Sequence, residues 1–380
     1  TDATKDAKPE RMIENPLYPA QITDALRTVR YPGSGKDIVS LDMVEDDLRI
    51  DGHNVSFSLI FDKATDPFAR SVVKAAEAAL RTFVADDIVA DIKIKSRTPA
   101  PAAKAPVLPG VRNIVAVSSG KGGVGKSTVA ANLAVSLAAE GYKVGLLDAD
   151  IFGPSVPKMF GIEDEQLYMH EVEGRNLIIP VEKYGVKLLS IGLLVAKDSA
   201  VVWRGTMASN TLKQLIEQAD WGELDYFLID LPPGTSDIHL TLVQTLGLTG
   251  AVVVTTPQEV ALADARKGIA MFRDPKINVP VLGIVDNMAW FTPELHPDER
   301  YYIFGPDAAV RRMADEFGVP VLAEIPLVAA VGEHNDSGSP IALGDTLSAQ
   351  SFVHLARMVI DAVDRRNRDL PPTEAVAMKK

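Results

Sequence analysis

The sequence predicts an α/β fold: a mostly parallel sheet covered by helices on both faces, preceded by a small α+β domain. Short apolar runs alternate with helical stretches, a proline-rich segment separates the first 96 residues from the rest, and a glycine-rich loop lies between a predicted strand and a predicted helix. The 380 residues are 47% apolar and 24% charged, which is ordinary for a globular protein with a sizeable core.

The first domain is predicted from a pattern of strand, helix and strand. Residues 54–61 (NVSFSLIF) place apolar side chains at every second position, as in a half-buried strand. Apolar residues recur at intervals of three and four over 69–83, the pattern of an amphipathic helix, and 88–94 indicate a closing strand. We therefore expect a disordered N-terminus over 1–15 and an α+β domain over 16–96.

A proline-rich segment, RTPAPAAKAPVLPG, follows over residues 97–110. Its prolines at positions 99, 101, 106 and 109 favour extended backbone without a foldable core. We interpret this segment as a linker that keeps the first domain near a larger domain at 111–364. The last residues, 365–380, are polar and contain a Pro-Pro pair, so we predict a disordered tail.

The larger domain is predicted to contain the parallel sheet. Its strands are continuous apolar runs, which is typical of strands buried on both faces. They lie at 114–117, 144–147, 188–191, 226–229, 251–255 and 281–285. Segments such as 129–140 and 207–219 are long enough to be crossover helices. In sheets of this kind the ligand lies at the carboxyl ends of the strands.

A phosphate-binding loop follows the first of these strands. Residues 120–127, GKGGVGKS, fit the pattern G-x-x-x-x-G-K-[ST]. The glycines let the backbone bend so that successive N–H groups converge on phosphate oxygens at a helix N-terminus. We expect Lys126 to contact the β- and γ-phosphates and the Ser127 hydroxyl to ligate Mg²⁺. The predicted nucleotide-binding residues of the loop are Gly120, Lys121, Gly122, Gly123, Val124, Gly125, Lys126, Ser127 and Thr128.

Three aspartates lie at the ends of predicted strands of the same domain. Asp148 and Asp150 follow its second strand, and Asp230 follows a later one. Carboxylates beside a phosphate loop are suited to holding Mg²⁺ or its waters and to orienting an attacking water. A lone aspartate in such a place is more often a turn or cap residue, but the neighbouring loop favours the functional interpretation. We predict that Asp148 and Asp230 act on the metal through water.

The loop GKGGVGKST resembles the deviant phosphate loop of the family that contains MinD, ParA and the nitrogenase iron protein. The resemblance implies ATP and Mg²⁺ as ligands, and it implies that Lys121 crosses a dimer interface and is catalytic together with Lys126. A solvated surface lysine is the alternative for Lys121. Asp150 resembles the hydrolytic aspartate of that family and Asp230 its second metal-shell aspartate. Asn287, in GIVDNMAW, resembles the asparagine that reads adenine, with a turn residue as the alternative.

Four stretches resemble a narrower family, the Mrp/ApbC iron-sulfur cluster carrier ATPases. They are DADIFGPSVPKMFG, VWRGTMASNTLKQL, DWGELDYFLIDLPPGTSDIHLTLVQ and GIVDNM. This resemblance covers most of residues 114–342, and the first domain resembles the MIP18-like domain that often precedes such ATPases. It implies Mg²⁺-dependent ATP hydrolysis by a homodimer across the nucleotide, with apo iron-sulfur proteins as clients.

One part of that family's pattern is missing. Many members carry a C-x-x-C after the region matching DNM, where it binds a cluster shared across the dimer. This sequence reads AWFTPELHPDERYYIFG there and contains no cysteine. We therefore predict no iron-sulfur ligands and leave open whether a cluster is bound. His296, Asp298 and Glu299 of this loop have the chemistry of metal ligands, although a solvated loop is the commoner interpretation.

The alternative function is a MinD/ParA-like positioning or regulatory ATPase that acts on a membrane or protein partner. A terminal helix over 351–368 is either a basic attachment surface or a helix docked on the core. Its regularly spaced apolar residues are Phe352, Leu355, Val359 and Val363. The net charge of -12 argues against nucleic acid, and no apolar run resembles a secretory signal or a bilayer span. We expect a cytoplasmic protein with no nucleic-acid and no membrane partner.

Overall fold

The computed structural model describes two compact units, with the division between Lys104 and Ala105. The described residues are 17–32, 34–62, 66–97, 107–151, 153–172, 174–194, 205–293, 295–296, 298–373 and 375. The predicted disordered N-terminus and most of the predicted linker therefore lie outside the described residues. Each unit is considered by itself below.

The first unit is a three-stranded sheet with two helices. Its elements are α1 (Pro19–Leu26), β1 (Arg49–Asp51), β2 (Asn54–Phe61), α2 (Ala69–Phe83) and β3 (Val89–Ser96). The strand order is β1-β2-β3, with β1 antiparallel and β3 parallel to β2. Alternate residues of β2, from Val55 to Phe61, are buried with one face of α2, because apolar periods of two and of three to four meet in one core. The predicted strand at 54–61 and helix at 69–83 are confirmed to the residue.

The second unit is a larger α/β domain. Its strands are β4 (Val111–Ser118), β5 (Val144–Asp148), β6 (Met169–Val172), β7 (Arg175–Ile178), β8 (Val181–Lys183), β9 (Val186–Ser190), β10 (Leu224–Asp230), β11 (Gly250–Thr255), β12 (Val281–Phe291) and β13 (Val321–Leu327). Its α-helices are α3 (Lys126–Ala139), α4 (Val156–Phe160), α5 (Gly205–Glu217), α6 (Asp237–Thr245), α7 (Glu259–Arg273), α8 (Ala309–Phe317), α9 (Ala329–Ser337) and α10 (Leu347–Asp369), and its short 3₁₀ helices are Ile191–Leu194 and Ile341–Leu343.

Eight of these strands form one sheet in the order β13-β12-β11-β4-β10-β5-β9-β8. All neighbours are parallel except the edge pair β8 and β9. Successive residues of β4 enter opposite cores: Val115 and Val117 pack with α3 and α10, whereas Ala116 packs with α5 and α6. The strands are continuously apolar because both faces are covered, so the predicted fold class is confirmed.

The sheet order places β4 between β10 and β11, with β5 on the far side of β10. Asp230, the last residue of β10, is in register with Val117 of β4 and with Asp148 of β5. The carboxyl ends of these three strands therefore meet at one edge, beside the loop that joins β4 to α3. This edge contains the predicted phosphate site.

The terminal helix α10 is docked on the core. Phe352, Leu355, Val359 and Val363 are fully buried together with residues of α3 and β13. This apolar face is therefore not a membrane attachment surface, and of the two interpretations the core-docking helix is correct. None of the helices in the described ranges is both long enough and apolar enough to cross a bilayer.

The predicted boundary between the domain and its tail at 364/365 needs correction, because α10 continues to Asp369. Arg366 is largely buried, and its Nη2 donates hydrogen bonds to the carbonyl of Pro371 and the Oγ1 of Thr373, both at 2.6 Å. Residues 365–369 therefore belong to α10, and the described residues that follow them contact its last turn through Arg366. Residues 374 and 376–380 lie outside the described residues.

Candidate functional site

The loop between β4 and α3 has the backbone of a phosphate-binding loop. Gly123 and Gly125 adopt φ angles of +82° and +80°, which side chains strongly disfavour. Helix α3 begins at Lys126 directly after Gly125, and no side chain caps its first N–H groups. Uncapped N–H groups at a helix N-terminus bind anions well. The predicted loop residues are thus brought together in a geometry suited to phosphate.

Two other elements pack against this loop and fix its path. A Cβ on Gly120 would lie 2.1 Å from the carbonyl carbon of Asp264, in the backbone of α7. A Cβ on Gly125 would lie 2.2 Å from the Nδ2 of Asn287. These two glycines are therefore required for close packing, whereas a Cβ on Gly122 would be no nearer than 3.9 Å to another atom, the Cγ of Pro233.

Lys126 lies at the centre of the site, buried among carboxylates. Its ammonium group forms a hydrogen-bonded ion pair with Asp230 and lies 3.9 Å from an oxygen of Asp150. It also donates to the Ser127 Oγ at 3.2 Å. Lys126 is 6% exposed and Asp230 is fully buried. In a low-dielectric site this cation is strongly attracted to any phosphate that can replace its carboxylate partners.

Asp230 has one oxygen that remains without a hydrogen bond. Its Oδ1 is paired with Lys126, while its Oδ2 is buried and has no hydrogen-bond partner among the described residues. Burial raises the pKa of this carboxyl, and Lys126 opposes the rise. We expect Asp230 to be ionised, because direct contact with a buried ammonium strongly favours the carboxylate.

The residues fit Mg²⁺ held partly through water. The unpaired oxygen of Asp230 and the hydroxyl of Ser127 are oxygen ligands of the kind that Mg²⁺ prefers. Within the described ranges, no three His, Asp or Glu side chains are arranged to hold a metal ion by themselves. Water and phosphate oxygens would therefore complete the shell, as is usual for Mg²⁺ with nucleotides.

Asp148 is fully buried and organises the backbone after β5. One oxygen accepts from the backbone N–H of Asp150 at 3.1 Å, and the other accepts from the Ser190 Oγ at 2.9 Å and the N–H of Val156 at 3.3 Å. Burial, with the nearby Asp230, raises the pKa of Asp148 to about 8. These contacts position Asp150 beside Lys126. The predicted water-mediated role of Asp148 toward the metal stays a prediction.

Lys121 is exposed at the outer side of the loop. Its carbonyl oxygen accepts from the Ser119 Oγ at 3.0 Å. Its side chain makes no hydrogen bond or ion pair within the part of the chain that the structure describes. The predicted role of Lys121 across a dimer interface stays a prediction.

Asn287 lies within β12 rather than after a strand, which corrects the predicted strand end at 285. The strand continues to Phe291 through an irregularity at which Met288 has a φ angle of +55°. The Nδ2 of Asn287 donates to the carbonyl of Val124 at 2.8 Å, so the side chain is fixed against the phosphate loop. Its role in reading adenine stays a prediction.

Two further polar residues were not predicted: Asn335 contacts the phosphate loop, and His239 lies where the charge of Lys126 affects its pKa. The Nδ2 of Asn335, in α9, donates to the Oγ1 of Thr128 at 2.9 Å, and its Oδ1 is buried without a hydrogen-bond partner in the described structure. His239, in the first turn of α6, is fully buried, and the positive charge of Lys126 helps to lower its pKa. No local motif marks Asn335. His239 lies within the DLPPGTSDIH stretch and could have been selected as a histidine near the site.

The loop that replaces the C-x-x-C is largely exposed. His296 Nδ1 lies 3.7 Å from an oxygen of Glu299, and both side chains are about half exposed or more. The guanidinium of Arg300 lies 4.2 Å from the ring centroid of Trp290, and Phe291 and Tyr301 pair through their backbones. The described residues of this loop are therefore held by aromatic and backbone contacts, and they present no group of three metal ligands.

Comparison with known proteins identifies the family. A family model described as ParA, NUBPL iron-transfer P-loop NTPase, matches residues 110–360. The chain belongs to this family. A second model, described as iron-sulfur cluster assembly protein, matches residues 19–94, in the first unit. The predicted resemblance to iron-sulfur cluster carrier ATPases with an additional N-terminal domain is confirmed, and the chain is a nucleotide-binding P-loop NTPase.

Individual relatives agree with this assignment. An iron-sulfur cluster carrier protein from Aquifex aeolicus (strain VF5) is 48% identical over 262 residues, which are 68% of this chain and 70% of the relative. One from Synechocystis sp. is 39% identical over 350 residues, 90% of this chain and 97% of the relative. A solved nucleotide-binding protein from Archaeoglobus fulgidus, in complex with ADP, has a TM-score of 0.54 and 38% identity, covering 63% of this chain and 91% of that chain.

The packing of the loop predicts that alanine substitutions at two neighbouring glycines have different effects on stability. Gly120→Ala is expected to lower the free energy of unfolding by about 1–3 kcal/mol, because the new Cβ overlaps the backbone of α7. Gly122→Ala is the matched control and is expected to change it by less than about 0.5 kcal/mol. Urea unfolding of the nucleotide-free protein measures both. Equal losses in the two variants would contradict this packing.

A further carboxylate, Asp286, is buried near the site, next to Asn287 in β12. Its Oδ1 is buried without a hydrogen-bond partner among the described residues. It lies opposite Glu324 of β13, which accepts two hydrogen bonds from Arg311. Burial raises the pKa of Asp286 to about 7, and the negative charge of Glu324 contributes to the rise.

This pKa predicts a pH-dependent effect of Asp286→Asn. Between the ordinary value of 3.8 and about 7 the folded protein holds a proton that the unfolded chain releases, so stability falls as pH rises through this window. Asp286→Asn is neutral at every pH, so its free energy of unfolding does not show this decrease. It is expected to be more stable than the wild type above pH 7, by about 4 kcal/mol at most, and to approach the wild type toward pH 4.

Urea unfolding between pH 5 and pH 8.5 tests this expectation. Asp315→Asn, which replaces an exposed carboxylate of α8, is the control and is expected to show no such trend. A constant difference between wild type and Asp286→Asn across the pH range would show that Asp286 is ionised throughout.

Proposed function

We propose that this chain is an ATP-hydrolysing homodimer that acts in the assembly of iron-sulfur proteins. The observation that carries the proposal is the buried Lys126, held between Asp230 and Asp150 at the end of a phosphate loop, in a chain of the NUBPL iron-transfer P-loop NTPase family. Relatives that align over most of the chain are described as iron-sulfur cluster carrier proteins.

The triphosphate is bound by main-chain N–H groups of residues 120–128 and by the ammonium of Lys126. A nucleotide phosphate competes with Asp230 for this ammonium. The ammonium then stabilises the negative charge on the β- and γ-oxygens as the terminal bond breaks. Asn287 and Asn335 donate hydrogen bonds to Val124 and Thr128 of the loop. They are suited to contact the nucleoside part of the ligand.

Asp150 is the residue proposed to orient the attacking water. Its carboxylate is largely buried, lies beside Lys126, and follows Asp148, whose oxygens hold the N–H groups of residues 150 and 156. A fixed carboxylate can accept a hydrogen bond from water and direct its lone pair at the γ-phosphorus. Mg²⁺, held by Ser127 and through water by Asp230 and Asp148, would neutralise charge on the β- and γ-oxygens.

Lys121 is proposed to act on the nucleotide of the partner subunit. Lys121 is exposed, whereas Lys126 in the same loop is buried. We therefore expect the two lysines to contact different nucleotides, Lys126 that of its own subunit and Lys121 that of the partner. A cation added from a second subunit stabilises charge that develops on the transferred phosphoryl group. This arrangement makes hydrolysis depend on dimer formation and couples the nucleotide state to subunit packing.

The iron-sulfur cargo cannot be bound through thiolates of this chain, because the sequence has no cysteine. His296, Asp298 and Glu299 are exposed in the loop where the resemblance places a C-x-x-C, and the described residues of this loop form no group of three metal ligands. We propose that the protein acts on clusters that are ligated by its clients or by another carrier, and that ATP hydrolysis times its association with them. The positioning alternative is disfavoured because the apolar face of α10 is buried.

Removal of Lys126 tests the nucleotide site. Lys126→Ala is expected to reduce ATP hydrolysis by about a thousandfold, because the loop loses the cation that contacts the phosphates. The variant also leaves Asp230 buried without its partner, which destabilises the fold. Lys126→Ala/Asp230→Asn is therefore included; it should regain stability without regaining activity. A steady-state phosphate release assay measures turnover, and wild-type turnover in either variant would refute the site.

Mixing two inactive variants tests the position of Lys121. Lys121→Ala and Asp150→Ala homodimers are each expected to bind ATP but to hydrolyse it slowly. In a mixed dimer one site combines Asp150 of one subunit with Lys121 of the other, so activity should return to about half of the wild-type value per dimer. No recovery on mixing would mean that both residues act within one subunit. Lys276→Ala, at an exposed lysine distant in sequence, is the control.

Cluster transfer tests the biological role. Protein purified without oxygen and incubated with iron and sulfide is expected to retain no thiolate-ligated cluster, because it contains no cysteine. Addition of the protein with ATP should nevertheless raise the rate at which an apo client gains a cluster from a thiol-ligated donor. The Lys126→Ala variant serves as control. A rate that is the same with wild type, variant and no protein would exclude a role in cluster assembly.

A further inference from the structure

His239 has a ring nitrogen that the described contacts of the nucleotide site do not use. Its Nδ1 accepts a hydrogen bond from the backbone N–H of Ser236 at 3.2 Å, at the start of α6. The Nδ1 therefore carries no proton, and the neutral ring has its proton on Nε2. Burial lowers the pKa of His239 to about 4, and the positive charge of Lys126 contributes, so the ring is neutral near pH 7.

The Nε2–H group is a buried donor without an acceptor. His239 is 1% exposed, and its Nε2 has no hydrogen-bond partner among the described residues. Capping α6 requires only Nδ1, and a shorter side chain such as asparagine supplies that acceptor without burying a second polar atom. A buried donor that remains unpaired is unfavourable, so the second nitrogen is not explained by folding of α6.

An acceptor of complementary kind is buried nine residues earlier in the chain, at the end of β10. The Oδ2 of Asp230 also has no hydrogen-bond partner in the described structure, while its other oxygen is paired with Lys126. The segment between Asp230 and His239 is attached to the phosphate loop, because the N–H of Gly234 donates to the carbonyl of Ser119 at 2.8 Å. The unpaired donor and the unpaired acceptor thus lie at the two ends of one anchored segment, and the positive charge of Lys126 lowers the pKa of both groups.

Nucleotide binding changes which partners stabilise the carboxylate of Asp230. When Lys126 turns to the phosphates, Asp230 stays fully buried but loses the ammonium bound to its Oδ1. A water on Mg²⁺ can use only one of its two oxygens, so the other needs a donor from the protein, because a buried oxygen of a carboxylate without a donor is unfavourable. A neutral N–H donor can stabilise that carboxylate without adding a charge that competes with Lys126 for phosphate. His239 carries such a donor.

We propose that His239 is a positioning residue of the nucleotide site, whose Nε2–H becomes the hydrogen-bond donor to Asp230 when Lys126 moves to the phosphates of ATP. The proposal rests on the ATP hydrolysis proposed above. Because the same ring caps α6, the conformation of the first turn of this helix changes when nucleotide binds to the site. Helix α6 contacts α5 through a hydrogen bond from Thr241 Oγ1 to Ser209 Oγ at 3.1 Å, so the change reaches the neighbouring helix.

Two substitutions separate the functions of the two ring nitrogens. His239→Asn keeps an acceptor near the position of Nδ1 and removes the distant donor. His239→Gln places an amide N–H near the position of Nε2. The donor role predicts that kcat for ATP hydrolysis falls by about tenfold in His239→Asn, with KM changed by less than about threefold, and that His239→Gln stays within about threefold of the wild type.

Amide hydrogen exchange provides a second measurement in the full-length protein. Addition of Mg²⁺ and a non-hydrolysable ATP analogue is expected to protect residues 237–245 in the wild type and in His239→Gln, but not in His239→Asn. Urea unfolding without nucleotide should give similar midpoints for wild type and His239→Asn, because the cap is retained.

The outcomes are distinguishable. Wild-type kcat in His239→Asn would overturn the donor role and leave the proposed function intact. Equal loss of kcat in both variants together with a lower unfolding midpoint would overturn it too, because the histidine would then act only as a structural cap. A wild-type protein that does not hydrolyse ATP would overturn the proposed function and the role of His239 with it.

Discussion

The ion pair of Lys126 with Asp230 is the interaction on which the rest of the site depends. Both groups are removed from water, so each is stable only while the other remains beside it. The pair also keeps the phosphate loop closed against the end of β10 in the absence of nucleotide. A phosphate group can replace Asp230 as partner of the ammonium, and the protein then needs a new arrangement of its buried carboxylates. We therefore expect nucleotide binding to be coupled to structure beyond the loop.

The order of the strands provides the geometry for this pair. Because β4 lies next to β10, and β10 next to β5, the phosphate loop, Asp230 and Asp148 meet at one edge although they are far apart in the chain. Asp148 uses its oxygens to hold the following backbone, which brings Asp150 toward Lys126. Close packing of Gly120 on α7 fixes the start of the loop. Rigid support of this kind is what positions a charged site accurately.

The family name combines nucleotide binding with iron transfer. This chain contains residues suited to the first activity but no cysteine that could bind a cluster. The residues predicted to bind nucleotide are all present, from the glycine-rich loop to the buried carboxylates. The parts that would bind a cluster through sulfur are absent, since the sequence has no cysteine and the described residues of the corresponding loop are held by Arg300 on Trp290 and by backbone pairing of Phe291 with Tyr301. In the function proposed here, clients or another carrier therefore ligate the cluster, and this protein supplies ATP hydrolysis.

The sequence by itself predicted the fold class, many of the strands and helices, and the candidate site residues. Apolar periodicity located β2 and α2 to the residue, and the spacing of glycines, Lys126 and Ser127 identified the phosphate loop, because both signals are local. Only the tertiary structure decided that α10 buries its apolar face in the core, that Asn287 lies within β12 against Val124, and that His239 and Asn335 belong to the site. Asn335 contacts Thr128 across 207 residues of sequence. Such contacts depend on strand order and helix packing, which no local pattern encodes.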